Sequence, residues 1–270
     1  MLETPLGWVL LLGVGTFTGI LSGLLGIGGG LLMVPILTFF GVPLVEATAT
    51  SLIGVFLSAL SGSYQNLRTG SLNWRVSLML ALFGIPTAQL GAWLGDRLPD
   101  GQLSLAFAGL LVVTMYLMDL RQRLKRQEAR RSPDQPDQPA PAEVPTAHST
   151  PLLPTAGIGL LAGILSGLFG VGGGVVMVPL QMLLLSESIK SAVRTSLGAI
   201  VAIAISGLAQ HALNGNVLWI PGICLGLGGI MGAQAGTRLL PRLPDQWVNL
   251  LFRAFLVALA IYMVARVVRP

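Results

Sequence analysis

Charge is what this sequence has least of. Only 10% of its 270 residues are Asp, Glu, Lys or Arg, while 53% are hydrophobic. A soluble domain carries about 25% charge, so the chain lacks the residues to cover a water-facing surface. Most of it must face lipid or other apolar helices. A single cysteine, Cys224, excludes an intrachain disulfide. Its apolar setting marks it as a small buried side chain. Acidic residues avoid the apolar runs: Glu46, Asp96, Asp100, Asp119, Glu187 and Asp245 all fall at segment ends. That removes any evident carboxylate relay or cation site at mid-membrane depth. No Gly-Lys-Ser/Thr phosphate loop and no cluster of metal ligands occurs, so neither cofactor nor metal is expected. The net charge of +5 does not point to nucleic acid. Six of the sixteen Lys and Arg residues crowd into Arg121 to Arg131 beside an apolar run, which reads as a cytoplasmic orientation signal. The opening Met1-Leu2-Glu3-Thr4-Pro5 lacks the positive stretch of a secretory signal, and the first apolar segment is expected to be retained.

What is present is a phrase given twice. Gly19-Ile20-Leu21-Ser22-Gly23-Leu24-Leu25-Gly26-Ile27-Gly28-Gly29-Gly30-Leu31-Leu32-Met33-Val34-Pro35 returns at an offset of 144 as residues 163–179, with thirteen of seventeen positions identical. The four differences exchange one apolar residue for another. The likeness continues at an offset of 145: Thr50-Ser51-Leu52 with Thr195-Ser196-Leu197, Ser61-Gly62 with Ser206-Gly207, Ala88-Gln89 with Ala233-Gln234, and Arg97-Leu98-Pro99-Asp100 with Arg242-Leu243-Pro244-Asp245. Two homologous halves follow, residues 1–119 and 151–270. Between them lies a basic, then proline-rich and polar stretch, 120–150, too poor in apolar side chains to pack and read as a disordered cytoplasmic linker.

Each half shows five apolar segments, at about 7–25, 27–41, 47–67, 74–95 and 102–119, then 152–169, 171–186, 192–211, 217–238 and 247–265. The first two of each half are short and meet at the glycines. If that pair is one kinked crossing the halves are parallel; if it turns back or crosses twice they are inverted. With the linker inside and Arg253 set aside, the parallel arrangement leaves ten Lys and Arg inside and five outside, and the inverted one twelve inside and three outside. The positive-inside rule favours inversion. The predicted fold is an all-α integral membrane bundle of two inverted repeats, each with a glycine-broken or re-entrant first element, and about eight to ten membrane segments in all.

The doubled Gly-Ile-Leu-Ser-Gly-Leu-x-Gly-x-Gly-Gly-Gly, each followed by Val-Pro, resembles the TauE/SafE family of sulfite exporters (the TSUP family) over nearly the whole chain outside 120–150. The resemblance implies a multi-pass inner-membrane secondary carrier for sulfur-containing anions such as sulfite or sulfonates, or related oxyanions or organic acids. Substrate would bind between the repeats and cross by alternating access as one repeat rocks against the other. It implies no enzyme activity and no cofactor. Its partners would be a small anion and the bilayer, with a homodimer left open. Two other readings stand beside it: a channel-like anion pore, and an intramembrane hydrolase built on Ser22 or Ser166 with His211.

An anion entering hydrocarbon must exchange its water shell for protein donors. Helix N-termini supply unpaired amides and a favourable dipole, and Gly28, Gly29, Gly30, Gly172, Gly173 and Gly174 would begin new helices at such points. They also suit close helix packing. Ser22 and Ser166 lie just upstream. Thr50, Ser51, Thr195 and Ser196 stand near helix starts, where a hydroxyl caps or faces a ligand. Gln89 and Gln234 are matched amides in apolar segments, expected to face the bundle interior. Arg253 lies within an apolar segment, where its guanidinium chelates an oxyanion or snorkels to the interface. The substrate-binding set expected is therefore Ser22, Gly28, Gly29, Gly30, Ser51, Gln89, Ser166, Gly172, Gly173, Gly174, Ser196, Gln234 and Arg253.

Overall fold

A computed structural model describes residues 4–131 and 151–268. Its elements are α1 (Pro5–Leu25), α2 (Gly30–Phe39), α3 (Leu44–Arg68), α4 (Trp74–Gly95), α5 (Asp100–Arg131), α6 (Leu152–Phe169), α7 (Gly174–Leu184), α8 (Ile189–Leu213), α9 (Trp219–Leu239), a 3-10 turn at Leu240–Arg242, and α10 (Asp245–Val268). Among the described residues there is no strand. Within those residues five helices, α1, α3, α4, α6 and α8, are long and apolar enough to cross a membrane. The chain is an all-helical, multi-pass membrane protein.

Local chemistry sets the helix ends. Thr4 precedes Pro5, and its Oγ1 accepts from the Gly7 amide, so α1 begins with a hydroxyl cap and a proline whose missing N–H costs nothing there. Asn73 and Ser188 cap α4 and α8 in the same way. α5 continues through Arg131, past the expected boundary at 119, so the basic run 121–131 belongs to a helix. The proline-rich remainder of the expected linker, 132–150, lies outside the described residues.

The halves interlock. α1 lies along α9 and α6 along α4, so each half's first helix is held by the other half's fourth. Glycine makes the close approach possible. In α1, Gly15, Gly19 and Gly23 press on the backbone of Leu225, Gly229 and Ala233; in α6, Gly159, Gly163 and Gly167 press on that of Leu80, Gly84 and Ala88. A side chain at any of these positions would meet a carbonyl oxygen, which is the small-residue packing of lipid-embedded helices. Serines pin the next layer. Ser61 donates to Ile230 O at 2.9 Å and its repeat partner Ser206 to Ile85 O at 2.8 Å.

These contacts also set direction. Residue numbers rise together along α1 and α9, and along α6 and α4, so each pair is parallel. Gly62 touches Leu197 while Gly207 touches Leu52, so the matched helices α3 and α8 run antiparallel. Consequently Arg68, Arg75, Lys190, Arg238 and Arg242 cluster at one end of the bundle, where α5 also finishes. Arg97 sits at the other.

Candidate functional site

Both glycine phrases break their helices. α1 stops at Leu25, where Gly26 in the left-handed region (φ 70°) donates back to Ser22 O at 2.8 Å. Gly28 and Gly29 follow at φ 76° and 86°, angles strained for any residue with a Cβ. α2 then starts at Gly30. The second half repeats this around Gly170, Gly172 and Gly173, and α7 starts at Gly174. Neither new helix has a side-chain cap, so the amides of its first turn find no side-chain acceptor.

The two breaks touch. A methyl group added to Gly30 would overlap Gly170 O and stand 3.0 Å from Val171 Cα; one added to Gly174 would overlap Gly26 O and stand 2.8 Å from Ile27 Cα. Val55, mid-way along α3, and Ile200, its repeat partner in α8, pack over both breaks: Val55 Cγ1 and Ile200 Cγ2 lie against Gly28 and Gly172 alike. Two helix N-termini therefore begin at the middle of the bundle, back to back, under a lid of two aliphatic side chains. From mid-α3 depth, α2 spans about 15 Å at 1.5 Å per residue and leads back to the end where α3 starts.

The expected residues separate into groups. Ser22 and Ser166 are fully buried beside the breaks, and neither hydroxyl has a partner; Ser22 Cβ lies against Gly29. Ser51 and Ser196 reach the breaks too, but as clasps. Ser51 Oγ is 2.9 Å from Gly170 O and 2.7 Å from Thr48 O; Ser196 Oγ is 2.9 Å from both Gly26 O and Val193 O. A hydroxyl has one hydrogen, and here it lies between a carbonyl of the serine's own helix and one at the broken end of the other half's first helix. Thr50 Oγ1 accepts from Leu218 N at 3.0 Å and so caps the start of α9 from the opposite half.

The glutamines and the arginine stand elsewhere. Gln89 is exposed on the outer face of α4 and Gln234 only half-buried on α9, contrary to the expected interior placement. The reason is helical phase: Gly84, Ala88 and Gly91 face α6, and Gln89 points about 100° away from Ala88. Arg253 lies on α10 with Nη2 3.7 Å from Asp119 Oδ1 on α5, which ties these two helices together. His211, the membrane histidine of the hydrolase reading, gives Nε2 to Gly167 O at 3.0 Å rather than to a serine.

One residue escaped the sequence. Gln181 in α7 is fully buried, and neither its Nε2 nor its Oε1 has a partner. It lies two turns beyond Gly174 on the same helix face. Its place in the first half is taken by Leu37, so repeat matching passes over it.

Residues 11–263 match the family model described as sulfite exporter TauE/SafE. A probable membrane transporter protein of Xylella fastidiosa is 30% identical over 265 residues, covering 96% of this chain and 95% of that one. The probable membrane transporter protein YunE of Bacillus subtilis is 25% identical, covering 93% and 95%. Another, of Methanocaldococcus jannaschii, is 29% identical, covering 75% and 71%. No solved structure matches the chain.

Proposed function

Because the chain belongs to the TauE/SafE sulfite exporter family, we propose that it is a secondary carrier moving a small sulfur-containing anion, sulfite or a sulfonate, across the cell's inner membrane by alternating access. The observation that carries this reading is the meeting of the two helix breaks. Gly30 lies on Gly170 and Gly174 on Gly26, so two helix N-termini, neither with a side-chain cap, converge at mid-bundle depth. Two partial positive charges in one place suit an anion that has shed its water.

Ser22 and Ser166, buried and uncommitted, would add hydroxyl donors, and Gln181 an amide. Val55 and Ile200 would be the constriction that moves aside when the site opens to either face. The antiparallel run of α3 against α8 supports inverted repeats, the arrangement that alternating access exploits. The gathering of Arg68, Arg75, Lys190, Arg238 and Arg242 at the end where α5 finishes supports a cytoplasmic location for 120–150. The carrier does no chemistry on its substrate and needs no cofactor.

Counterflow tests this. Proteoliposomes preloaded with unlabelled sulfite should transiently accumulate labelled sulfite, and the initial rate should saturate. A rate that rises linearly without counterflow would mean a channel-like pore instead.

A further inference from the structure

We infer that His211 and Asp96 form a proton-binding site at the end of the bundle opposite the basic cluster, and that the proton held there is the coupling ion of transport. The site itself stands on its own geometry; its coupling role rests on the carrier reading above.

The argument begins with which atoms can donate. His211, in the last turns of α8, is fully buried. Its Nε2 is 3.0 Å from Gly167 O on α6. A carbonyl oxygen only accepts, so Nε2 must carry a hydrogen. In a neutral imidazole Nδ1 is then a bare lone pair. That lone pair stands 3.4 Å from Asp96 Oδ1, at the C-terminus of α4. A carboxylate oxygen is also only an acceptor. Two acceptors facing one another in a buried place repel, and one proton between them turns the repulsion into an ion pair.

Two asparagine amides also meet Asp96. Asn216 Nδ2 donates to Oδ1 at 2.8 Å, and Asn214 Nδ2 donates to Oδ2. Arg97, the next residue, turns away, with its guanidinium carbon 3.8 Å from the centre of the Trp93 ring. From α6 the imidazole meets a backbone carbonyl, and from α4 the Asp96 carboxylate. Among the described residues no other charged group pairs with His211.

The matched position in the first half cannot do this. Asn66 replaces His211 and Pro241 replaces Asp96, so nothing there titrates. The site is therefore present in one half only. It also reaches the anion site: Gly167 lies one turn before Gly170, whose carbonyl receives Ser51 and rests against Gly30. Protonation of Nδ1 from the aqueous face tightens α8 onto α4 and α6 beside the second break; release of that proton to water leaves two lone pairs opposed and loosens it.

Histidine-selective 15N NMR of the full-length protein in detergent reads the site directly. The chain has two histidines, His148 and His211, and His148→Gln identifies the second signal. As the pH is lowered, Nδ1 of His211 should gain a hydrogen while Nε2 keeps its own. Asp96→Asn should move that step to lower pH. A His211 whose Nδ1 never gains a hydrogen, or gains it at the same pH in Asp96→Asn, overturns the proposal.

Coupling is read in proteoliposomes loaded with a pH dye and given a gradient of methanesulfonate, an anion that carries no proton itself. Methanesulfonate flux should drive proton flux. His211→Gln, whose amide still reaches Gly167 O, should keep methanesulfonate counterflow and lose the proton movement. Undiminished proton movement in His211→Gln overturns the coupling role; if that variant does not fold, Asp96→Asn reads the same loss. Absence of methanesulfonate flux in the unaltered protein counts against the anion-carrier reading, and the NMR result alone then decides the proton site.

Discussion

Gly30 rests on the carbonyl oxygen of Gly170, and Gly174 repeats the contact on Gly26 from the other side. The opening of each short helix is thereby seated on the end of the other half's long one, with no room for a single additional carbon.

Gly30→Ala and Gly174→Ala should both lower the melting temperature and abolish counterflow, because the new methyl meets backbone that cannot rotate away. Overpacking of this kind costs about 1–3 kcal/mol. Gly13→Ala and Gly157→Ala, where nothing lies within 4 Å, should leave both unchanged. A thermal-shift series on the four variants checks the contrast.

The serines at the breaks should divide into two kinds. Ser51→Ala and Ser196→Ala each remove a donor from a buried carbonyl, and each should cost about 1–3 kcal/mol. Ser22→Ala and Ser166→Ala remove hydroxyls without partners, so stability should hold or rise slightly while sulfite binding weakens. Comparing unfolding midpoints with ligand-induced shifts separates the pairs.

Gln89→Leu should be silent. Its side chain is on the outer face of α4, and exchanging it for leucine should change neither the counterflow rate nor its saturation. Gln181→Leu should do the opposite: a more stable protein, by relief of a buried unpaired amide, with impaired transport.

Arg253 and Asp119 should behave as a pair. Arg253→Met alone should loosen α10 from α5 and lower the melting temperature, while Arg253→Met with Asp119→Asn should recover part of the loss. The double-mutant cycle reads the coupling between them.

Most of the fold was legible because lipid imposes a simple grammar of apolar length and interruption. The stretches expected at 74–95 and 152–169 are α4 (Trp74–Gly95) and α6 (Leu152–Phe169) to within one residue, and the glycine clusters do end one helix and begin another. The site was less legible, for separate reasons at each residue. Gln89 could have been placed by phase, since Gly84, Ala88 and Gly91 mark the packed stripe and a residue adjacent to Ala88 turns outward. Ser51 and Ser196 gave no such sign. Their partners, Gly170 O and Gly26 O, are backbone atoms more than a hundred residues away, and backbone carbonyls leave no mark in a sequence. Asp119 and Arg253 sit in different halves, each unremarkable until α5 and α10 meet. Gln181 was hidden by the repeat itself, since a method that rewards matched positions discounts the one that differs.

The interlocked seams have a mechanical consequence. Glycine-on-carbonyl contact joins α1 to α9 and α6 to α4, while serine bonds add α3 to the first group and α8 to the second. The stiff bodies of the protein are thus two hybrids, each stitched from both ends of the chain. Across the α3–α8 plane the hybrids are tied by Ser51 on Gly170 O and by Ser196 on Gly26 O, so the line of duplication and the line of packing run differently through the same molecule.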